Sequence, residues 1–168
     1  MEDNVMVDRT RRGLLTGRSH SAMAGIRPPW SGHEAHFLAH CHRCDLCINA
    51  CENQLLRRGP GGYPVVDFSR GECSFCYACA AACPRSLFLP REAHPWRLAV
   101  SPGSQCLTRN AVMCRSCEDN CPYGAITFRA QLSGISQPQL DNHACPGCGA
   151  CVASCPVSAI TVEYACDH

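Results

Sequence analysis

Lysine is missing altogether: all 15 basic residues of this 168-residue chain are arginine. With no lysine, neither a Schiff base nor a P-loop phosphate cradle can be built. No apolar run approaches the roughly 20 residues that span a bilayer, so no membrane span is expected. Charge of one sign is scarce too. The 14 acidic residues leave a net +1, which offers no global field for nucleic acid. There is no Gly-rich phosphate loop, no C-x-x-C-H haem site and no acid–base dyad, so no substrate chemistry is supported and the chain reads as a carrier, not an enzyme. Export signals are also incomplete. Arg11-Arg12 looks like a twin-arginine start, but Gly17, Arg18, Ser19 and His20 follow Leu14-Leu15-Thr16 where an apolar stretch of roughly 7–15 residues should stand. A cytoplasmic location is expected.

What is abundant is cysteine, 17 in all. In a reducing compartment disulfides are rare, which leaves metal chemistry. Cys41, Cys44, Cys47 and Cys51 stand as C-x2-C-x2-C-x3-C; Cys73, Cys76, Cys79 and Cys83 repeat it, and Cys145, Cys148, Cys151 and Cys155 repeat it again. Between them, Cys106, Cys114, Cys117 and Cys121 read C-x7-C-x2-C-x3-C, as if five residues had been inserted after the first cysteine. The first cysteines lie 32, 33 and 39 residues apart, so the chain is an internal repeat.

Three thiolates at i, i+3 and i+6 in a tight loop can each reach a different iron of one cubane. The fourth must come from farther along, and in bacterial two-cluster ferredoxins the fourth cysteine of one run ligates the other cluster. Zinc closes its tetrahedron with two separated C-x2-C pairs and has no use for a third cysteine three residues later. The three regular groups therefore predict three 4Fe-4S clusters. The altered group at Cys106 is read as a fourth site whose spacing departs from the others. The near-constant repeat favours adjacent pairing, with Cys83 completing the Cys41, Cys44, Cys47 set and Cys51 the Cys73, Cys76, Cys79 set. Pairing first with last and second with third is the alternative.

Pro84, Pro122 and Pro156 follow the last cysteine of three groups and turn the chain away. Cys51 is followed by Glu52, so a different turn is expected there. Strands are expected at Tyr63 to Phe68, Ala125 to Phe128 and Ala159 to Val162. A change of texture from Arg91 to Gly103 suggests a linker. Three regions result: an Arg-rich arm, residues 1–36, that is disordered or binds a partner; a unit, 37–98, with groups one and two; and a unit, 99–168, with groups three and four. The fold class is α+β, tandem ferredoxin-like units of short strands and helices around clusters. So little apolar area is buried that the cluster-free chain should be largely unfolded. Cys166 is read as a free thiol. His33, His36, His40 and His42 are read as solvated or as hydrogen-bonding near the ligands, and Trp30, Phe75 and Tyr77 as packing near clusters.

With these groups in place, the chain resembles the bacterial multi-cluster ferredoxins. Arg11-Arg12-Gly13, Gly25 to Gly32, Gly61-Gly62-Tyr63-Pro64, Cys73 to Cys79 and Leu132-Ser133-Gly134-Ile135 look more narrowly like the NapF-type ferredoxins of periplasmic nitrate reductase systems. The resemblance implies a cytoplasmic iron–sulfur protein that meets the precursor of the nitrate reductase catalytic subunit before export and takes part in its maturation. It leaves the electron donor open. A general polyferredoxin relay of another oxidoreductase and a non-redox assembly or zinc-based interaction module are the competing readings.

Overall fold

Glycine and proline interrupt the chain so often that no element can grow long. The computed structural model describes residues 25–131 and 134–165. Arg11-Arg12, Leu132-Ser133 and Cys166 therefore lie outside the described residues. In chain order the elements are α1 (Glu34–His40), α2 (Leu46–Asn49), β1 (Leu56–Arg58), β2 (Pro64–Val66), α3 (Ala78–Ala81), β3 (Leu98–Pro102), α4 (Ser116–Asp119), β4 (Ile126–Arg129), β5 (Gln137–Leu140), α5 (Ala150–Ala153) and β6 (Ile160–Tyr164).

The strands form three antiparallel ribbons. β1 pairs with β2 in the register Leu56↔Val66, β4 with β5 from Ile126↔Leu140, and β3 with β6 from Leu98↔Tyr164 to Pro102↔Ile160. The first ribbon turns through Gly61 and Gly62, both at positive φ, a conformation glycine takes without a Cβ penalty. Asp67 then caps a short turn by accepting from the Ser69 amide. The mixed helix and strand content, in short pieces, is the α+β architecture expected. The strands read from sequence all exist, shifted by a residue or two.

The presumed linker is a correction. Residues 98–102 are β3, because Leu98 and Val100 alternate inward while Ser101 faces out. Alanine and serine between them hid that alternation among turn residues. Leu98 joins a core of Leu55, Leu56, Val66 and Phe68, whereas Val100 joins Ile126 and Ile160; Val152 and Val162 pack against both. Packing is thus continuous across the middle of the chain.

The arm is a second correction, for its residues 25–36. Arg27 and Trp30 are each only 3 % exposed, and Pro28 is fully buried. The surface of Pro28-Pro29-Trp30 finds its partner within the chain. Trp30 donates its indole N–H to the Ala93 carbonyl at 2.8 Å and accepts the Leu89 amide at 2.7 Å. Arg27 forks onto Glu34 at 2.8–3.1 Å, donates to the Pro64 carbonyl, and lies over the rings of Tyr63 and Phe37. Its amide donates to the Tyr164 hydroxyl at 2.8 Å, which ties the start of the described chain to β6. Replacing Arg27 with alanine should cost about 2–3 kcal/mol, because the Pro64 carbonyl loses its buried donor while the half-exposed Glu34 is rescued by water. Lysine should recover little of it, having no planar fork. Denaturant midpoints of the loaded protein measure both.

Candidate metal centres

Each one-turn helix places one cysteine, the third of its group, against the interior: Cys47 in α2, Cys79 in α3, Cys117 in α4 and Cys151 in α5. Four cavities result, and each is lined by four cysteines. Site 1 has Cys41, Cys44, Cys47 and Cys83, around about 560 Å³ measured to its open mouth. Site 2 has Cys51, Cys73, Cys76 and Cys79, around about 400 Å³. Site 3 has Cys106, Cys114, Cys117 and Cys155, around about 320 Å³. Site 4 has Cys121, Cys145, Cys148 and Cys151, around about 330 Å³. Every site takes three cysteines from its own group and the last from its neighbour. Sequence left two pairings open; the geometry is the adjacent, crossed one.

The altered group completes a site like the others. Its extra residues form a 3-10 turn, Leu107–Asn110, which folds Cys106 back beside Cys114 and Cys117. Thr108 holds that turn. It is 3 % exposed, its hydroxyl lies 3.3 Å from the Cys106 sulfur, and its carbonyl accepts from Gln137 at 2.7 Å. Sequence reading missed Thr108, since a lone threonine in an insertion carries no signal. The turn after Cys51 is likewise ordinary. Gln54 donates to the Cys51 carbonyl at 2.9 Å, as Ser158 does to Cys155 and Gly124 to Cys121, so no proline is needed.

Backbone shape supports an anionic occupant. The residues flanking the second cysteine take positive φ in three groups: Arg43 and Asp45, Phe75 and Tyr77, Gly147 and Gly149. Such left-handed residues turn successive N–H groups into a concavity, a nest of the kind that holds phosphates and iron–sulfur clusters. Four of the six are not glycine, and each then costs of order 1 kcal/mol, a strain kept where function requires it. Two amides also donate to sulfur, Phe75 to Cys73 at 3.4 Å and Ala159 to Cys155 at 3.2 Å.

Burial pushes the Cys47, Cys79 and Cys151 thiols up to about 12, and repulsion from neighbouring thiolates adds to it. Burial likewise raises Cys73 and Cys117 to about 11. Cys106 goes the other way: burial raises it, but hydrogen bonds from Thr108 and the charge of Arg109 outweigh that. Thiols so crowded stay protonated until a cation displaces the protons.

Zinc at about 2.3 Å from each ligand needs sulfurs within about 4 Å of one another. Among the described residues no three Cys, His, Asp or Glu side chains come together for one ion. The cysteines ring a cavity instead, and four thiols around a nest-lined space suit a cubane. Histidine supplies no extra ligand set. His33, His36, His40 and His42 are exposed, with His42 alone at the mouth of site 1. Trp30 and Tyr77 line site 2, and Phe75 packs edge-on to Trp30.

This chain is similar to known iron–sulfur proteins. The family model described as "4Fe-4S dicluster domain" matches twice, over residues 40–87 and 112–164. A "Ferredoxin-type protein NapF" of Escherichia coli strain K12 is 62 % identical, over 96 % of this chain and 99 % of that protein. A protein of the same name from Haemophilus influenzae is 47 % identical over 89 % of this chain and 85 % of its own. A "Methylamine utilization ferredoxin-type protein MauM" of Methylophilus methylotrophus is 30 % identical over 90 % and 75 %.

Proposed function

We propose, for a chain that belongs to the NapF ferredoxin-type family of 4Fe-4S proteins, that it holds one cluster in each of its four sites and works in the cytoplasm on the precursor of the periplasmic nitrate reductase catalytic subunit. The observation that carries the reading is the set of four cavities, each closed by three cysteines of one group and one of the next. A 4Fe-4S cluster, when bound, takes up and returns one electron with little reorganisation.

The chain's own residues do the rest. Sixteen thiolates hold the four centres, and their crossing ties groups one and two, and groups three and four, into two units. Amides of the nests and of Phe75 and Ala159 stabilise negative charge at sulfur. Trp30 and Tyr77 wall one side of site 2, with Phe75 packed behind Trp30. The exposed Cys44 and Cys76 leave sites 1 and 2 open to an exchange partner. Among the described residues no helix is long and apolar enough to cross a membrane. The role toward nitrate reductase is what the resemblance to the NapF-type ferredoxins implies, and the relatives carry that name. The methylamine-utilisation relative favours, as a second reading, a scaffold that serves as a relay in more than one oxidoreductase system.

Anaerobically purified protein should contain about 16 iron and about 16 acid-labile sulfide per chain. It should also capture the precursor of the catalytic subunit and not the exported form. If that subunit reaches its full metal content in cells lacking this chain, the maturation role is wrong.

A further inference from the structure

Charge is shared unevenly among the four sites. Site 1 is lined by Arg43 and Arg85, both exposed, and by one carboxylate, Asp45, which Arg58 pairs. Among the described residues no carboxylate pairs with Arg43 or Arg85. Site 2 is lined by the exposed Glu52 and Glu72 and by no basic residue. Sites 3 and 4 have no charged lining residue. The ligands differ as well: among the described residues only Cys44 of site 1 and Cys76 of site 2 are exposed. One site alone thus joins an exposed ligand to uncompensated positive charge.

The rest of this rim suits docking. Arg43 lies over the Tyr63 ring at 5.3 Å and donates to the Gly61 carbonyl at 3.3 Å, so its guanidinium has little freedom left to lose when a partner arrives. Arg85 follows Cys83 and Pro84 directly. Leu46, 45 % exposed, and Pro84 line the same mouth and supply apolar surface beside the arginines, as protein interfaces do. Site 1 is also the end of a row. α2 packs on α3, α4 packs on α5, and the Cys73 amide of site 2 donates to the Cys148 carbonyl of site 4 at 2.8 Å, so the sites follow one another as 1, 2, 4, 3. An electron received at site 1 has every other site ahead of it.

We propose that the mouth of site 1 is the docking face for a one-electron carrier protein whose redox centre is rimmed by carboxylates, and that electrons enter the chain there. The inference rests on the reading that each site holds a cluster, and adds to it the chemistry of the donor. One electron leaves the reduced carrier and arrives at site 1, with no bond made or broken and no proton moved. Arg43 and Arg85 steer the carrier's carboxylates to this mouth, while Glu52 and Glu72 turn them away from the other exposed ligand.

The probe is an acidic flavodoxin, mixed with the full chain loaded anaerobically. Arg43→Gln with Arg85→Gln should weaken binding of the oxidised flavodoxin about tenfold at low salt and slow reduction by its hydroquinone by a similar factor. Both quantities should also depend less on ionic strength. Arg91→Gln with Arg129→Gln removes the same charge from exposed residues that line none of the four sites, and should change neither quantity by more than about twofold. Should the first pair fail to load iron, Arg85→Gln alone decides, at about threefold, because its side chain has no partner in the fold among the described residues. Equal effects in the two pairs, or no effect in protein with full iron, overturn this inference and leave the four-site reading intact. Self-association of the loaded chain that the Arg43 and Arg85 substitutions abolish also overturns it, since the occupant would then be the Glu52 and Glu72 face of a second copy. An unsubstituted chain that never takes up iron overturns the four-site reading itself.

Discussion

Cys83→Ala should empty site 1 while site 2 stays loaded, although Cys83 belongs to the second cysteine group. The Cys83 sulfur lies among Cys41, Cys44 and Cys47 and adds to the charge that raises Cys47. Iron should fall by about 4 atoms per chain. Pairwise variants make the expectation sharp, because two cysteines of one centre cannot be lost twice. Cys83→Ala with Cys41→Ala should remove no more iron than either alone. Cys83→Ala with Cys73→Ala should remove about 8 atoms. Iron and sulfide analysis of the four proteins decides it, and the reverse outcome would mean that each run closes its own cluster. The same logic makes Cys155→Ala an indirect loss at site 3, which shares no other cysteine with group four.

Stripping the metal should unfold most of the chain. The longest strands have five residues, the helices around the centres have four, and buried cysteines form part of both cores. Domains with so small an apolar interior depend on their metals, and cluster binding then becomes part of folding. Anaerobic chelation should abolish more than about half of the far-ultraviolet ellipticity, with reconstitution restoring it. The pH slopes of the two states should have opposite signs. Burial raises thiols from an ordinary value of 9.0 to about 11 or 12 in the folded chain. A raised thiol value stabilises the cluster-free fold fully below the ordinary value and loses that contribution as pH climbs through the folded one. Whatever order the stripped chain keeps should therefore vanish between about pH 9 and 12. In the loaded protein the sulfurs are thiolates, and protons compete with iron for them. Its charge-transfer absorbance should thus be lost on acidification. Denaturation of both forms across pH tests the pair; equal slopes would show that the thiols are not the linked groups.

Much of the centre chemistry was legible in the residue order. A 3,3,4 rhythm of cysteines states which sulfurs share a loop, because three residues of backbone can carry a thiol only so far. The α+β class followed from short alternating runs between glycine and proline. Other features had no local signal. Leu98, Ala99, Val100 and Ser101 looked like a linker until β6 supplied a partner 60 residues away. Arg27-Pro28-Pro29-Trp30 read as an arm awaiting a partner, and only the packed chain reveals Ala93, Leu89, Glu34 and Tyr164 in that role. Thr108 became visible once the inserted turn had folded back on Cys106.

Ligand identity, the number of groups and the need for a soft, polynuclear occupant were set by residue type and spacing alone, since a thiol's reach along the chain is a covalent matter. Which cysteine closes which cavity, and that sites 2 and 4 touch, was decided by tertiary packing. The closing cysteine comes from the neighbouring group, and the contact of sites 2 and 4 spans some 75 residues, from Cys73 to Cys148, a distance that no local spacing encodes.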